Sequence, residues 1–356
     1  MSAAADFRLY VTMRILKSIM AIQHALRALI HDRRNLSEQE SQLAMQAILE
    51  GKATEVQIAA FLVALHLKGE TAQELTGAAR ALRSAANSPP QSQLPLLDTC
   101  GTGGDHSGTF NISTVAALVV AGAGLRVAKH GNRSLSSLCG SADLLEALGV
   151  DLTYASTTLE RHGIAFFFAP LFHGATRHVQ PVRAQLKTRT LFNYLGPLTN
   201  PAGANLQIAG AFSVESAALI AETLNNLGLT RGFVVHGEDG LDEVSTTSAT
   251  RAFEIQAGRV TAITLNPEDF GLPRASRQSL AGGDIAQNCR IAESVLHGEA
   301  GPPRDIVLAN AALALYAAKL APSLPEAADL ARKSIDSGRA LMKLRALQVA
   351  NSTEAA

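Results

Sequence analysis

Residues 98–143 read DTCGTGGDHSGTFNISTVAALVVAGAGLRVAKHGNRSLSSLCGSAD and decide how the larger part of this chain folds. The stretch contains two polar, glycine-bearing loops, 101–105 and 129–134, and each follows a short apolar run that is typical of a strand. Between the loops, the Ala- and Val-rich run 115–123 predicts a helix whose start carries Asn, Ser and Thr residues suited to capping. If both strands belong to one parallel sheet, both loops lie at the same edge and form one ligand site.

The residue types in these loops favour a phosphorylated ligand. Glycines allow tight bends and expose backbone N–H groups to an anion, and a helix N-terminus attracts negative charge. Lys129, Arg133 and several hydroxyl groups add cations and hydrogen-bond donors. GTGGD matches neither the dinucleotide fingerprint nor the Walker loop, and alone it could be an ordinary turn. The hydroxyl-rich helix start and the loop KHGNRS close by favour a phosphate or pyrophosphate site.

Composition argues against several functions. The 356 residues include 31 Lys and Arg, 31 Asp and Glu and no Trp, so the chain has neither the basic field nor the aromatic platforms that hold nucleic acids. No apolar run approaches the roughly 20 residues of a membrane-spanning helix. The three cysteines are far apart, fit neither a disulfide framework nor a zinc site, and favour a reducing, cytoplasmic location.

We predict an α/β protein with a small all-helical domain and a larger, mostly parallel-sheet α/β domain. Helical periodicity predicts the helical domain over 20–92, after an extension, 1–19, that we expect to be poorly ordered. The segment of about 174–200 is interpreted as two short helices that join this domain.

Strand-like and helical runs alternate over 93–173 and 201–350, which predicts a sheet covered by helices. The strand-like runs are 94–98, 125–128, 164–169, 206–212 and 232–236. Ligands of such sheets bind at the carboxyl ends of the strands.

An acidic pair follows the last of these strands. The segment HGEDGLDE ends in Asp242 and Glu243, and adjacent carboxylates in a loop can bind Mg²⁺ together with waters and substrate phosphates. Most such pairs are simply solvated turns. The pyrophosphate ligand predicted above favours the metal site, because pyrophosphate normally binds with Mg²⁺.

Basic residues and histidines give weaker indications. The Arg177–Arg189 segment carries several cations that usually form a solvated helix face, although one arginine could hold a substrate carboxylate. His173 is more often a structural histidine than a catalytic one, whereas His130, between Lys129 and Gly131, is better placed.

Six motifs, in order, resemble those of the anthranilate phosphoribosyltransferase family: GTGGD, TFNIST, VAKHGNRS, GSADLLEALGV, RTLFNYLGPLTNPA and HGEDGLDEVS. The segment GKATEVQIAAFLVALHLKGET resembles the family's first domain, so the resemblance runs from about Met20 to the C-terminus. It implies the nucleoside phosphorylase and phosphoribosyltransferase structural class. It also implies an enzyme of tryptophan biosynthesis that is Mg²⁺-dependent and homodimeric through the helical domain. Such an enzyme transfers the 5-phosphoribosyl group from 5-phospho-α-D-ribose 1-diphosphate to anthranilate, giving N-(5-phosphoribosyl)anthranilate and pyrophosphate.

The resemblance also implies roles for particular residues. Those implied to bind the phosphoribosyl diphosphate are Gly101, Thr102, Gly103, Gly104, Asp105, Thr109, Asn111, Ile112, Ser113, Thr114, Lys129, His130, Gly131, Asn132, Arg133, Ser134, Ser136, Ser137 and Ser141. Those implied to hold two Mg²⁺ ions per subunit are Ser113, Asp242 and Glu243. Those implied to meet anthranilate or line its path are Asn132, Arg183, His130, His173 and Pro197, and those implied to act in catalysis are Lys129, His130 and Arg183.

The chain departs from the family pattern at two places. Leu138-Cys139 stands where Lys-Ser is common, which removes a cation from the phosphate site, and Gly174-Ala175-Thr176 follows His173 where HPAM is usual. Two other functions are less well supported. A pyrimidine nucleoside phosphorylase-like enzyme is disfavoured by Asp242-Glu243 and by the Asn132 and Arg183 pair. A non-catalytic paralogue that binds nucleic acid would need a basic surface and lost metal ligands.

Overall fold

A computed structural model of the chain describes residues 20–89, 95–105, 107–134 and 138–349. The predicted extension 1–19 and the predicted ligand residues Ser136 and Ser137 lie outside the described residues. The chain divides into two compact units. One comprises the residues up to Asn87 together with His173–Thr199, and the other comprises Ser88–Phe172 together with the residues from Asn200 onward.

The elements of the described residues, in chain order, are α1 (20–30), α2 (Glu38–Leu49), α3 (Glu55–Lys68), α4 (Ala72–Ser84), β1 (Leu96–Asp98), α5 (Ile112–Gly122), β2 (Arg126–Gly131), α6 (Ser141–Ala147), α7 (Ala155–His162), β3 (Ile164–Phe168), α8 (Ala169–Phe172), α9 (Gln180–Leu186), α10 (Phe192–Leu198), β4 (Leu206–Gly210), α11 (Val214–Asn226), β5 (Arg231–Gly237), β6 (Thr250–Gln256), β7 (Arg259–Leu265), α12 (Ile285–Leu296), α13 (Pro302–Ala317), α14 (Leu324–Asp336) and α15 (Arg339–Val349). Short 3₁₀ turns cover Gly174–His178, Pro267–Phe270 and Arg277–Leu280.

Local sequence explains where the helices of the first unit begin. Ser37, Thr54 and Thr71 each cap a helix, and each has a Glu or Gln three residues later that completes a capping box. In the sequence, the segments 36–40 and 54–57 already predict two of these helix starts, and the structure confirms both. The two short helices expected in the second segment of this unit are α9 and α10, and a 3₁₀ turn precedes them.

One buried carboxylate joins the helices of this unit. Glu74 has no exposed surface, and its carboxylate accepts the N–H of Leu36 at 2.8 Å and the ammonium of Lys68 at 2.9 Å. The same side chain accepts both the N–H and the hydroxyl of Thr71 at 2.9 Å, which completes its capping box. A buried charge with this many partners holds α4 against the chain before α2.

The α/β unit contains a sheet with strand order β3-β2-β1-β4-β5-β6-β7. The first five strands in this order are parallel, and the pairs β5–β6 and β6–β7 are antiparallel. Alternate strand residues face different apolar clusters: Val127 and Phe166 belong to the large cluster, Ala128 and Phe167 to a smaller one. The sheet is therefore covered on both faces, and the predicted fold class, a helical domain with a mostly parallel α/β domain, is confirmed.

The antiparallel strands β6 and β7 were not predicted. They follow no α/β alternation, and their two-residue turn, Ala257-Gly258, lacks the Asn-Gly or Asp-Gly pair that marks a hairpin in a sequence. Both turn residues nevertheless adopt positive φ, 51° at Ala257 and 75° at Gly258, as the twist of a tight hairpin requires.

Helix α5 is central to the core of this unit. Every residue from Thr114 to Gly122 is buried, and α5 packs against α13, α14 and α15. Its N-terminus points toward the carboxyl ends of the strands, where the predicted site lies. Among the described residues, no helix is both long and apolar enough to cross a membrane.

We expect Glu74→Ala to lower the free energy of unfolding of the helical unit by about 3 kcal/mol, because it leaves the N–H groups of Leu36 and Thr71 without their acceptor and removes the carboxylate partner of the Lys68 ammonium. Urea titration followed by circular dichroism measures this change. Glu38→Ala is the matched control, since it removes an exposed ion pair with Arg80 that is worth at most about 1 kcal/mol. Equal losses in the two variants would contradict the role given to Glu74.

Candidate active site

Most predicted ligand residues lie at the carboxyl ends of four neighbouring parallel strands, β1, β2, β4 and β5. The loop 101–105, which we call the phosphate loop, follows β1. Within it, Gly103 and Gly104 adopt φ of 61° and 73°, a region that side-chain-bearing residues rarely occupy. The glycines are thus required by the backbone path of the loop itself.

Lys129 is a buried cation that joins three elements. The sequence placed it in the loop after a strand, but β2 continues to Gly131, so Lys129 is a strand residue. Its ammonium donates to the carbonyl oxygen of Thr99 at 3.1 Å, to the Thr99 hydroxyl at 3.2 Å and to the Ser113 hydroxyl at 3.3 Å. The side chain is therefore fixed at the edge of the sheet before any ligand binds.

The N-terminus of α5 is capped from another loop. Asn111 occupies the cap position, but its side chain makes no cap bond; its amide donates to the carbonyl oxygen of Cys139 at 3.0 Å. This corrects the expectation that Asn, Ser or Thr caps this helix. Instead, the N–H of Ser113 donates to the Glu243 carboxylate at 3.1 Å. The positive end of α5 thus faces one of the two carboxylates predicted to bind metal.

Three carboxylates converge on the phosphate loop. The N–H of Gly103 donates to Asp242 at 3.0 Å, and the N–H of Asp242 donates to Asp105 at 3.4 Å. Burial, and then the charges of Asp105 and Glu243, hold the pKa of Asp242 well above its usual range. Burial also raises the pKa of Glu243 to about 7, against the opposing attraction of Lys129. The cluster therefore contains more acidic than basic groups, and its carboxylate oxygens are potential ligands for a cation.

Residues 238–244, here called the acidic loop, are shaped by Asp239. Its carboxylate accepts the Ser245 hydroxyl at 2.8 Å, the N–H of Leu241 at 3.4 Å and the Thr247 hydroxyl. These bonds close the turn that presents Asp242 and Glu243. No role for Asp239 was predicted from the sequence, although it belongs to the motif HGEDG.

Asp98 and Asn200 also escaped sequence reasoning. Asp98 is completely buried at the end of β1 and accepts the N–H of His130 at 3.0 Å. The amide of Asn200 donates to the carbonyl oxygen of Ala128 at 2.8 Å. Burial raises the pKa of Asp98 to about 6, while the bonds from Asn200 and His130 oppose that rise. The sequence feature that could have identified Asp98 is a charged residue directly after an apolar run.

A second group of potential metal ligands lies beside this carboxylate. Ligand atoms of Asp98, Cys100 and His130 lie within 4.8 Å of one another, and all three residues are buried. The positive charge of Lys129 acts on both Asp98 and Cys100, which disfavours a cation at this position. Burial also raises the pKa of the Cys100 thiol, so Cys100 is not an activated nucleophile.

The residues after β2 are engaged with α6. The Arg133 guanidinium pairs with Asp143 at 2.9 Å and with Glu146 at 2.6 Å, and it lies 5.5 Å above the ring centre of Phe168. The predicted phosphate contact of Arg133 is therefore not preformed. Asn132 is exposed, and its side-chain oxygen accepts the N–H of Arg133 at 2.8 Å. The Ser141 hydroxyl donates to the carbonyl oxygen of Asn132 at 3.2 Å.

The remaining predicted site residues, His173, Arg183 and Pro197, belong to the helical unit. His173 is buried, and burial lowers its pKa to about 4, so its ring is neutral at pH 7. The Arg183 guanidinium is half-buried and lies 5.3 Å from the ring centre of Phe192. Among the described residues, no carboxylate forms an ion pair with Arg183.

Comparisons with known proteins match this architecture. Residues 23–86 match the helical bundle domain of the glycosyl transferase family, and residues 93–341 match its α/β domain. An anthranilate phosphoribosyltransferase from Solibacter usitatus is 55% identical over 322 residues, which are 89% of this chain and 95% of that protein.

Solved structures agree with these matches. The anthranilate phosphoribosyltransferase of Thermus thermophilus is 46% identical, has a TM-score of 0.86 and covers 93% of this chain and 98% of its own. The Saccharomyces cerevisiae enzyme in complex with PRPP and Mg is 30% identical, with a TM-score of 0.86 over the same shares of the two chains.

Fold and site together define a glycosyl transferase built from a helical bundle and an α/β domain. Within that class, the chain belongs to the anthranilate phosphoribosyltransferase family.

The raised pKa of Glu243 predicts how the stability of the metal-free protein depends on pH. Because this pKa rises from 4.5 to about 7 on folding, the stability it contributes is full below pH 4.5 and is lost as the pH rises through 7. Glu243→Gln should therefore raise the melting temperature at pH 8, by roughly 2–4 °C for each kcal/mol recovered, and change it little at pH 4.5.

Differential scanning calorimetry in EDTA measures this effect. Glu222→Gln, an exposed site on α11, is the control, with no pH-dependent difference expected. A gain for Glu243→Gln that is the same at both pH values would contradict the assignment.

Proposed function

We propose that this protein transfers the 5-phosphoribosyl group of 5-phospho-α-D-ribose 1-diphosphate to the amine of anthranilate, releasing pyrophosphate. One observation carries the proposal. The phosphate loop, the N-terminus of α5, the Lys129 ammonium and the acidic loop meet at one end of one sheet and contact each other directly. Anion-binding groups and metal-binding carboxylates in such proximity suit a magnesium diphosphate ligand.

The binding of the diphosphate follows from fixed donors. The N–H groups of the phosphate loop and of the α5 N-terminus, with the hydroxyls of Thr109, Ser113 and Thr114, would hold phosphate oxygens. Lys129 is already ordered by Thr99 and Ser113, so its charge reaches the leaving group without reorganisation. That positive charge would stabilise the negative charge that grows as the bond to the anomeric carbon breaks.

The acidic residues fit magnesium. Ser113, Asp242 and Glu243 offer oxygen atoms, which Mg²⁺ prefers, and the mutual repulsion of the carboxylates would be relieved by a divalent cation. We propose that these residues hold two Mg²⁺ ions per subunit, directly or through water. Bound Mg²⁺ would neutralise charge on the departing pyrophosphate. The solved structure of the Saccharomyces cerevisiae relative is a complex with PRPP and Mg, which supports magnesium as the metal.

Arg183 is the proposed anchor for anthranilate. A half-buried guanidinium without a carboxylate partner among the described residues, fixed over the ring of Phe192, is suited to accept a substrate carboxylate in two parallel bonds. The aromatic amine is neutral at pH 7, so orientation rather than deprotonation is the main task. The neutral ring of His173 and the side chain of Pro197 would line the path of anthranilate without attracting its carboxylate away from Arg183.

Assembly follows the family expectation. We propose a homodimer that forms through the helical unit, where Met20, Ile30, Leu43, Val56 and Leu67 are exposed apolar side chains.

The first experiment follows the loss of anthranilate fluorescence when the protein is mixed with phosphoribosyl diphosphate and Mg²⁺, with pyrophosphate release measured in parallel. Metal-dependent loss that EDTA stops is the expected result. Two further assays test other functions: release of free base from uridine with inorganic phosphate, and retention of labelled single-stranded DNA. Turnover only in the phosphate assay, or DNA binding without any turnover, would overturn the proposal.

We expect Arg183→Ala to raise the Michaelis constant for anthranilate by about tenfold or more, because a charge-assisted bond is worth about 1.5–3 kcal/mol. The constant for phosphoribosyl diphosphate should stay unchanged. Initial rates at varied anthranilate measure this. Arg177→Ala, an exposed arginine of the same segment, is the control with unchanged constants. If only the turnover number fell, Arg183 would not be the carboxylate anchor.

Replacing Asp242 with Asn and Glu243 with Gln together should abolish Mg²⁺-dependent turnover, because both proposed carboxylate ligands become neutral. Loss of Mn²⁺ binding, measured by electron paramagnetic resonance, should accompany it. Glu238→Gln changes an exposed carboxylate of the same acidic loop and should keep both properties. A double variant with normal turnover or normal Mn²⁺ binding would show that the metal lies elsewhere.

A further inference from the structure

Gly210, the last residue of β4, lies between the two loops of the proposed site. β4 pairs with β1 on one side, from which the phosphate loop continues, and with β5 on the other, from which the acidic loop continues. The N–H of Thr102 donates to the carbonyl oxygen of Gly210 at 2.9 Å, which extends the β1–β4 pairing into the phosphate loop.

The backbone of Asp242 packs directly on Gly210. A methyl group added at Gly210 would lie 1.5 Å from the carbonyl oxygen of Asp242 and 2.5 Å from its carbonyl carbon. No flexible side-chain end could move aside, because both atoms are backbone. The φ of Gly210 lies outside the left-handed region, so a side chain is excluded by this contact rather than by backbone strain.

The phosphate loop packs on Gly210 as well. A methyl group at Gly101 would lie 3.0 Å from the carbonyl oxygen of Gly210 and 3.1 Å from its nitrogen. Gly101, Gly210 and Asp242 thus form a stack of backbones at van der Waals distance. The N–H of Gly103 also donates to the carboxylate of Asp242, at 3.0 Å.

We propose that Gly210 is a positioning residue that sets the separation between the phosphate loop and the acidic loop. The separation decides whether one ligand can meet the amides of the first loop and the carboxylates of the second together. This role rests on the proposed function, in which a magnesium diphosphate bridges the two loops. Any side chain at position 210 would push Asp242 away from the amides of the phosphate loop.

Gly210→Ala tests the proposal, and Gly232→Ala is its matched control. Gly232 lies in β5, and a methyl group there would meet the carbonyl oxygen of Gln207 at 2.2 Å, again a backbone atom of the β4–β5 pair. Gln207 is three residues before Gly210, about 10 Å along the strand and away from the loops. Both variants should melt at lower temperature, so melting alone does not distinguish them.

Two measurements do distinguish them. Calorimetric titration with phosphoribosyl diphosphate and Mg²⁺, without anthranilate, should show at least tenfold weaker binding for Gly210→Ala and less than twofold change for Gly232→Ala. Hydrogen exchange without ligand should show faster exchange over 101–105 and 238–244 only in Gly210→Ala, with α11 unchanged. Wild-type binding, or unchanged exchange in both loops, would overturn the proposal.

The exchange measurement also separates this inference from the proposed function. If the unmodified protein bound no phosphoribosyl diphosphate, the function would fail, while loop exchange in Gly210→Ala would still decide the positioning role. If Gly210→Ala did not fold, Gly101→Ala would replace it, since its closest contact, 3.0 Å, requires only a small shift. Faster exchange in the acidic loop of Gly101→Ala would support the proposal, and unchanged exchange there would overturn it.

Discussion

The buried ammonium of Lys129 is the interaction on which the rest of the site depends. A charge removed from water costs several kcal/mol unless it is hydrogen-bonded and compensated. Thr99 and Ser113 accept its hydrogen bonds, and the carboxylates of Asp98 and Glu243 provide opposite charge. Because these partners come from different elements, satisfying one cation fixes the ends of β1 and β2, the start of α5 and the acidic loop together.

The same arrangement opposes the stability of the metal-free protein. Three carboxylates near one another, with the pKa of Asp242 and Glu243 raised, form a cluster that is costly to ionise at neutral pH. Lys129 and the positive end of α5 offset part of this charge. In the proposed function, divalent cations bound with the diphosphate would relieve this repulsion, and until they bind, the packing of α5 against α13, α14 and α15 offsets its cost.

How much the sequence predicted depended on how local each feature is. The alternation of strand-like and helical runs predicted the α/β unit, and capping residues such as Ser37 and Thr54 marked helix starts, because both depend on neighbours in the chain. The motifs around Gly101, Lys129 and Asp242 predicted which residues gather at the sheet edge. That Glu243 caps α5, 130 residues away, could not be predicted, because this contact exists only in the folded chain.

Non-local geometry also explains the other omissions. Asp98 is a lone acid after an apolar run, and only burial beside His130 gives it a role. Gly210 follows Gln207-Ile208-Ala209 as an unremarkable strand end, and its importance comes from a carbonyl group 32 positions further along the chain. The strands β6 and β7 were not predicted because their turn, Ala257-Gly258, adopts positive φ without the usual Asn or Asp.

The departure at Leu138 shows how charge is distributed in this chain. Leu138 is 78% exposed, so its side chain contributes little packing where the family commonly has a lysine. Arg133, the cation that precedes Leu138 in the same segment, is held by Asp143 and Glu146. In the proposed function, ligand charge near this loop would therefore be met mainly by the buried Lys129, by backbone N–H groups and by any bound metal. Turnover would then depend on these groups more strongly than in a site with an additional lysine, because the leucine at position 138 cannot supply a replacement charge.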